Sequence, residues 1–152
     1  MKPTQTAITG NEQGLPDGPL AALSEFYRAF NGRNLDAVAV NWADSGDIAM
    51  DNPLGGIKRG REEIMAVYSR IFGGAATVYV EFYDYTIHEC GEMFYAVGRE
   101  RGSFTKGDVK IDLAIRTSRI FQKMRGRWYQ VHHHGSIETP QLLETYQKAV
   151  AG

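Results

Sequence analysis

The sequence predicts an α+β domain in which helices come first and a run of long strands follows. Up to about residue 72 the apolar side chains recur at the spacing of amphipathic helices, whereas from residue 77 the chain is rich in strand-forming residues. Helices followed by hairpin-linked strands are typical of a domain whose helices cover one face of an antiparallel sheet. With 152 residues and one cysteine, the chain has the length of one domain that needs no disulfide.

Residues 1–18 differ in composition from the rest of the chain. They are rich in Thr, Gln, Gly, Asn and Pro and show almost no apolar periodicity. Such a composition is typical of mobile termini. We therefore predict a flexible tail over residues 1–18 and a single domain over residues 19–152.

Three helices and one short strand are predicted in the first half. The first helix begins at Pro19, which suits a first turn, and stops at Asn31-Gly32. Its apolar stripe consists of Leu20, Leu23, Phe26, Tyr27 and Phe30. The other predicted elements are helices at 35–42 and 61–72, a brief strand at 48–51 and a turn at 52–56.

The second half predicts four long strands. They cover residues 77–88, 93–105, 109–124 and 127–137, and the turn sequences Cys-Gly-Glu, Lys-Gly-Asp and Met-Arg-Gly separate them. Consecutive strands with short turns indicate an antiparallel meander. After Thr139-Pro140, an amphipathic segment at 141–150 is either a short helix or a tail that docks on a partner.

The charge balance excludes several classes of partner. Seventeen basic and eighteen acidic residues give a sequence pI near 6.4, so the chain lacks the positive surface that binds phosphate backbones or anionic membranes. No apolar run is long enough for a signal sequence or a membrane span. We expect a cytoplasmic protein that binds neither nucleic acid nor membrane.

Two groups of motifs resemble a known superfamily. The early group is Phe30-Asn-Gly-Arg-Asn-Leu-Asp-Ala37, Trp42-Ala-Asp and Ile57-Lys-Arg-Gly-Arg-Glu-Glu-Ile64, and the late group is Gly126-Arg-Trp-Tyr-Gln-Val-His-His-His-Gly-Ser136. Over residues 20–138 the chain resembles the nuclear transport factor 2-like superfamily, which includes SnoaL-like polyketide cyclases and ketosteroid isomerases. The resemblance implies a cone-shaped, curved antiparallel sheet, with the N-terminal helices packed on its concave face, as in cystatin-like folds.

Within this superfamily the late motifs are most similar to the association domain of calcium/calmodulin-dependent protein kinase II and its stand-alone bacterial relatives. That similarity implies a pocket lined by arginines, two of which fall on Arg99 and Arg119, while Gly135 replaces a third. A planar guanidinium suits bidentate capture of a carboxylate, so an acidic small-molecule ligand is expected. The alternative is that each arginine forms an internal salt bridge, for instance with Glu81, Glu100 or Asp112. The other predicted ligand-contacting residues are Thr117, Tyr27, Trp42, Tyr95 and Phe121.

The three consecutive histidines provide a candidate base. Alternation along the strand places His133 on the cavity face and His132 with His134 on the other, where they are expected to line a subunit interface. Imidazole titrates near neutral pH, so His133 is the first candidate for proton transfer. Asp51 is the second, although an Asp before Asn-Pro also forms turns. Two histidines on one strand lack an obvious third ligand, so we predict no metal site and no cofactor.

Steroid isomerase chemistry is not expected. It needs a carboxylate base and a pair of protonated oxyanion donors in an apolar pocket. By the resemblance those positions fall on Asn52, Phe26 and Thr117, none of which has the required chemistry.

Three functions remain open at this point. The first is a small-molecule-binding domain with an arginine-lined, aromatic-walled cavity. The second is a cofactor-independent isomerase, cyclase or dehydratase that uses His133 or Asp51. The third is an oligomerisation module, and in every case we expect at least a homodimer that forms through the sheet. The expected pairing face consists of Phe94, Ala96, Gly98, Ala114 and Ile120.

Overall fold

A curved six-stranded sheet is the central element of the computed structural model, which describes residues 1–152. The strands are β1 (Ala49–Asp51), β2 (Ile57–Arg59), β3 (Thr77–Cys90), β4 (Met93–Lys106), β5 (Val109–Met124) and β6 (Arg127–Ile137). The helices are α1 (Pro19–Asn31), α2 (Leu35–Asn41), α3 (Gly60–Gly73) and α4 (Pro140–Ala151). The predicted α+β class and the curved sheet with N-terminal helices are therefore confirmed.

The strand order is β2-β1-β6-β5-β4-β3, and β3 to β6 form the predicted antiparallel meander. Strand β1 runs parallel to β6, so the sheet is mixed at that edge. Parallel neighbours need a long connection, and the chain between β1 and β6 supplies one. The sequence prediction missed β2, because three residues are too few to show a period.

Local bulges decide which side chains face the helices. Val131 is an extra residue of β6, because Ile120 pairs with His132 while Phe121 pairs with Gln130. Gln130 and His133 consequently lie on the same face of the sheet, although their odd spacing would separate them in a regular strand. We call the face that packs against the helices the inner face and the opposite one the outer face.

Helices α1, α2 and α3 cover the inner face. Asn34 caps α2 by accepting a hydrogen bond of 3.0 Å from the amide of Ala37. The segment at 141–150 is a helix, α4, and Thr139 caps it through the amide of Leu142. None of its residues is fully buried, so α4 packs at the surface of the core. No helix combines the length and the apolar composition that crossing a membrane requires.

The predicted pairing face is partly wrong. Phe94, Ala96 and Gly98 lie on the inner face, because they pair with Phe121, Arg119 and Thr117. Phe94 and Ala96 are fully buried there. Apolar residues occur at both parities of β4, so alternation alone could not identify the buried face. The large apolar side chains that β4 exposes on the outer face are Met93, Tyr95 and Val97.

Residues 1–18 are not a free tail in the structure. Thr4 and Ile8 exchange backbone hydrogen bonds of 2.8 to 3.1 Å with Tyr85 and Phe82 of the edge strand β3. Ile8 is only 3% exposed and joins the core. An edge strand offers unpaired backbone groups, so even a segment with few apolar residues can dock along it.

Glu12 fastens this segment to α1. Its carboxylate accepts hydrogen bonds from the amides of Thr9 and Gly10 and from the hydroxyls of Thr9 and Ser24, at 2.7 to 3.0 Å. Gly10 has φ 95° and lies so near α1 that a Cβ would come within 2.4 Å of the Arg28 nitrogen. Burial alone would raise the pKa of Glu12, but the hydrogen bonds outweigh it and lower the pKa from 4.5 to about 2.

We predict that Glu12 contributes to acid sensitivity. Because its folded-state pKa is depressed, its stabilisation is complete above pH 4.5 and is lost as the pH falls towards 2. Glu12→Gln should lower the free energy of unfolding at pH 7. It should also reduce the loss of this free energy between pH 4.5 and pH 2. Urea unfolding at a series of pH values measures both effects. The control is Glu92→Gln, an exposed carboxylate without a side-chain hydrogen bond. Parallel pH curves for wild type and Glu12→Gln would contradict the prediction.

Candidate functional site

A cavity of about 400 Å³ lies between the inner face and helices α1, α3 and α4. Two thirds of its lining residues are hydrophobic, with Phe30, Val67 and Ile115 among them. Tyr146 and Val150 of α4 close one side, and the cationic side chains of Arg70 and Lys106 also border the space. The polar lining residues on the inner face are Glu100, Arg119 and His133.

A buried ion pair occupies this polar end of the cavity. Arg119 Nη2 donates to Glu100 Oε2 at 3.0 Å, and the two side chains are 3% and 5% exposed. Tyr27 donates to the same carboxylate oxygen at 2.7 Å and accepts from Arg119 Nε at 3.2 Å. The guanidinium also lies 3.8 Å above the ring centroid of Phe26. Charge, hydrogen bonds and stacking together hold Arg119 in one place.

The pair continues into a network that joins the sheet to the helices. Arg119 Nη1 donates to Gln130 Oε1 at 2.7 Å, and Gln130 donates to Asn41 Oδ1 at 3.1 Å. Asn41 in turn donates to the carbonyl of Ala22 at 3.1 Å. Gln130 and Asn41 are completely buried, so each link satisfies a polar group that has no access to water.

The pKa shifts follow from this burial. Removal from water raises the pKa of Tyr27 well above 10, so its hydroxyl stays protonated and donates to Glu100. Burial disfavours the charged form of Arg119, but the neighbouring Tyr27 and Glu100 oxygens outweigh it and raise the pKa of the guanidinium. Arg119 therefore keeps its positive charge at neutral pH, in contact with the Glu100 carboxylate.

Glu100 was not predicted as a site residue. Only its Oε2 is engaged within the protein, and Oε1 has no partner there although Glu100 lines the cavity. The sequence did contain a sign of its role. Glu100 is the single carboxylate among the alternate residues of β4 that share a face with the buried Phe94 and Ala96. Such a residue must be paired or functional, since an isolated buried charge is costly.

His133 lies on the inner face as predicted and is 5% exposed. Its Nδ1 is 3.3 Å from the carbonyl of Ser118, which can only accept, so the proton resides on Nδ1 and Nε2 keeps its lone pair. Burial, and then the charge of Arg119, lowers the pKa of His133 well below 6.5. His133 is thus a neutral hydrogen-bond acceptor rather than a strong base.

Tyr68 of α3 supplies a donor to the same cavity. Its hydroxyl can accept from the N–H groups of Trp42 and Arg119, but the acceptor for its own proton is Met50 Sδ, at 3.7 Å, and sulfur is a weak acceptor. Burial raises the pKa of Tyr68, so the hydroxyl stays protonated at neutral pH. Tyr68 therefore has a proton that it can donate to a cavity occupant.

Arg99 is not a cavity residue. It lies on the outer face, where it pairs with Asp84 at 3.1 Å and with Glu138. The salt-bridge alternative therefore holds for both arginines. Arg119 pairs with Glu100, one of the partners considered from the sequence, whereas the partners of Arg99 were not considered there. Tyr95 is also on the outer face, 45% exposed, and its ring stacks on His88 with centroids 4.6 Å apart.

Four other predicted ligand-contacting residues belong to the core. Tyr27, Trp42, Thr117 and Phe121 are buried, but none of them lines the cavity. Neither Trp42 Nε1 nor Thr117 Oγ1 makes a hydrogen bond of normal geometry within the protein. Of the predicted site residues, the structure therefore brings only Arg119 and His133 to the cavity.

Asp51 is separated from His133 by the sheet. It lies next to β6 on the outer face, where its Oδ2 is 2.6 Å from His134 Nδ1. His132 contacts the carbonyl of Ala49 through Nδ1, at 3.0 Å. No group of three His, Cys, Asp or Glu side chains is arranged to hold a metal ion. The two candidate catalytic residues thus cannot act on one substrate in the cavity.

Gly135 leaves no room for a third arginine. A Cβ at this position would lie 2.5 Å from Pro53 Cγ and 3.3 Å from His133 Nε2. The ring of Pro53 therefore fills the space that a side chain on residue 135 would need. With Arg99 on the outer face, the anion site that the resemblance implied is reduced to Arg119, which Glu100 already neutralises.

Comparisons with known proteins agree with the fold. Residues 20–140 match the family described as SnoaL-like domain. No curated protein sequence matches the chain. A Thiobacillus denitrificans structure, provisionally assigned as a calcium/calmodulin-dependent protein kinase type II association domain, is 25% identical, with a TM-score of 0.67 over 84% of this chain and 100% of its own.

Two further structures share the fold at lower identity. A Streptomyces avermitilis protein, provisionally assigned as a dehydratase of the nuclear transport factor 2-like family, is 19% identical, with a TM-score of 0.69 over 78% of this chain and 92% of its own. A ketosteroid isomerase-like protein from Erwinia carotovora is 21% identical, with a TM-score of 0.65 over 79% of this chain and 93% of its own.

We predict that Arg119 is required for stability and Arg99 is not. Arg119→Met leaves Glu100 as an unpaired buried charge and should reduce the free energy of unfolding by about 3 kcal/mol or more. Arg99→Met, the matched control on the outer face, breaks an exposed pair and should change stability little. The double variant Arg119→Met with Glu100→Leu should regain much of the loss. Urea unfolding measures these free energies. Equal stability of Arg119→Met and Arg99→Met would contradict the prediction.

Proposed function

The chain belongs to the SnoaL-like domain family, and we propose that it binds a small, largely apolar molecule in the cavity beneath α4. The observation that carries this proposal is a space of about 400 Å³ with apolar walls and a few convergent polar groups at one end. Ligand sites in proteins have this size and this mixture of surfaces. The polar part of the ligand would meet Glu100, Arg119 and His133.

An acidic ligand has less support than the sequence suggested. Of the three arginines that were expected to bind its carboxylate, Arg99 lies on the outer face and the third is replaced by Gly135. Arg119 remains, but it is paired with Glu100. Catalysis is the second candidate function, because the free oxygen of Glu100 and Nε2 of His133 both face the cavity without a protein partner. Proton transfer would then fall to Glu100 rather than to Asp51, and no cofactor would be needed.

We also propose that the protein forms a homodimer through the outer face. Met93, Tyr95 and Val97 are each 44% to 45% exposed at alternate positions of β4, and Tyr95 pairs with Ile120 of β5. A second copy that covered them would remove apolar surface from water. If the protein is only an oligomerisation module, this interface would form while the cavity stays empty of ligand.

The cavity proposal predicts that an apolar probe stabilises the protein. Methoxynaphthalene should raise the thermal unfolding temperature in proportion to the logarithm of its concentration, because it binds only the folded chain. Ala76→Trp places an indole among the lining residues and should abolish the shift. The control is Ala66→Trp, on the exposed side of α3 away from the cavity. Absence of a shift in the wild type, or an equal shift in Ala76→Trp, would count against the cavity as a ligand site.

The dimer proposal predicts that a charge placed in the interface disrupts the dimer. Light scattering at micromolar concentration should give the mass of a dimer for the wild type. Val97→Asp should shift the equilibrium to the monomer, because it places a carboxylate in the apolar centre of the interface. Val40→Asp, at an exposed valine on α2, should leave the dimer intact. A monomeric wild type would refute the proposal.

A further inference from the structure

We propose that the polar end of the cavity selects a hydroxyl group, so that the ligand is a neutral alcohol or phenol and not a carboxylate. The proposal rests on the proposed function, since it concerns the same cavity. It is carried by the hydrogen-bonding capacity that Glu100, His133 and Tyr68 leave unused. A hydroxyl both donates and accepts, and these three side chains together offer both roles.

Two acceptors at this end of the cavity need a donor. Glu100 Oε1 has no protein partner, and Nε2 of His133 carries a lone pair because its Nδ1 proton is directed at the Ser118 carbonyl. Both groups are nearly completely buried, at 4% and 5% exposure. The two acceptor atoms are not among the fully buried polar atoms that lack a partner, so they keep surface that an occupant of the cavity can reach. A ligand that donates a proton to them should bind more tightly than one that cannot.

One donor faces the same space. The Tyr68 hydroxyl can accept from Trp42 and Arg119, while its own proton meets only the weak sulfur acceptor of Met50, at 3.7 Å, and is available to a ligand oxygen. Arg119 also retains N–H groups beyond the three that bind Tyr27, Gln130 and Glu100. A ligand oxygen can therefore accept from Tyr68 while its proton goes to Glu100.

The charge of the site argues against a carboxylate. The charges of Arg119 and Glu100 cancel across a 3.0 Å contact, and His133 is neutral. A ligand carboxylate would bring a second negative charge beside Glu100 in an apolar cavity, and two carboxylates in one site cannot both ionise cheaply. Arg70 and Lys106, the cations that also border the cavity, have exposed or partly exposed side chains whose attraction solvent screens.

Three probes with the same naphthalene ring and different polar substituents separate these possibilities. Naphthol presents a donor, methoxynaphthalene presents only an acceptor, and naphthoate presents an anion. Titration of the wild type should give affinity for naphthol about tenfold or more above that for methoxynaphthalene, as expected for a hydrogen bond to a charged group. Naphthoate should bind most weakly.

Glu100→Gln tests the assignment directly. The amide oxygen can still accept from Tyr27 and Arg119, while the negative charge is lost and Arg119 is left as a net cation. Naphthoate should then bind at least tenfold more tightly than to the wild type, and the preference for naphthol over methoxynaphthalene should shrink. The control is Glu81→Gln, which removes a carboxylate from the Arg101 pair on the outer face and should change none of the three affinities.

Tyr68→Phe provides a second variant that leaves the ion pair in place. It should weaken naphthol and methoxynaphthalene by several-fold each, because both lose the same donor. Equal wild-type affinity for naphthol and methoxynaphthalene, tighter binding of naphthoate than of naphthol, or a Glu100→Gln variant with wild-type preferences would overturn the hydroxyl assignment. Failure of all three probes to bind the wild type would instead refute the proposed function.

Discussion

The buried pair of Arg119 and Glu100 is the interaction on which the rest of the structure depends. It joins neighbouring strands β4 and β5 on the inner face, and Tyr27 of α1 bonds both partners. Through Gln130 the same guanidinium reaches β6 and then Asn41 of α2. Two charges removed from water are tolerable only when nearly every remaining hydrogen-bonding group is satisfied. This requirement fixes the position of α1 on the sheet more specifically than apolar packing alone would.

The same pair sets the chemical character of the cavity. Its net charge is close to zero. Burial, together with the positive charge of Arg119, lowers the pKa of His133 and keeps it neutral. The Glu100 carboxylate leaves one oxygen without a protein partner. If the cavity binds a ligand as proposed, the group that holds the sheet to the helices also defines what the cavity accepts. An arginine alone in this position would favour anions, whereas an arginine with a partner carboxylate favours ligands that can donate.

Much of the fold could be predicted from the sequence, because long periodic segments carry a clear signal. The meander, α1 and α3 follow from spacing alone, but β2 is too short, and the docking of Ile8 on β3 depends on an open strand edge elsewhere in the chain. Site prediction was weaker. Strand alternation places Arg99 and Phe94 on opposite faces of β4. Both faces carry apolar residues, so the sequence could not show which one meets the helices.

His133 and Gln130 illustrate why side chains at a site cannot be placed by counting. A regular strand would put them on opposite faces, yet the extra residue Val131 turns both to the inner face, where Gln130 binds Arg119 and His133 lines the cavity. A bulge arises from the pairing of two strands, so the sequence of one strand alone does not predict it. The polar end of the cavity therefore depends on how β5 pairs with β6. A change that removed the bulge at Val131 would take either Gln130 out of the network or His133 out of the cavity.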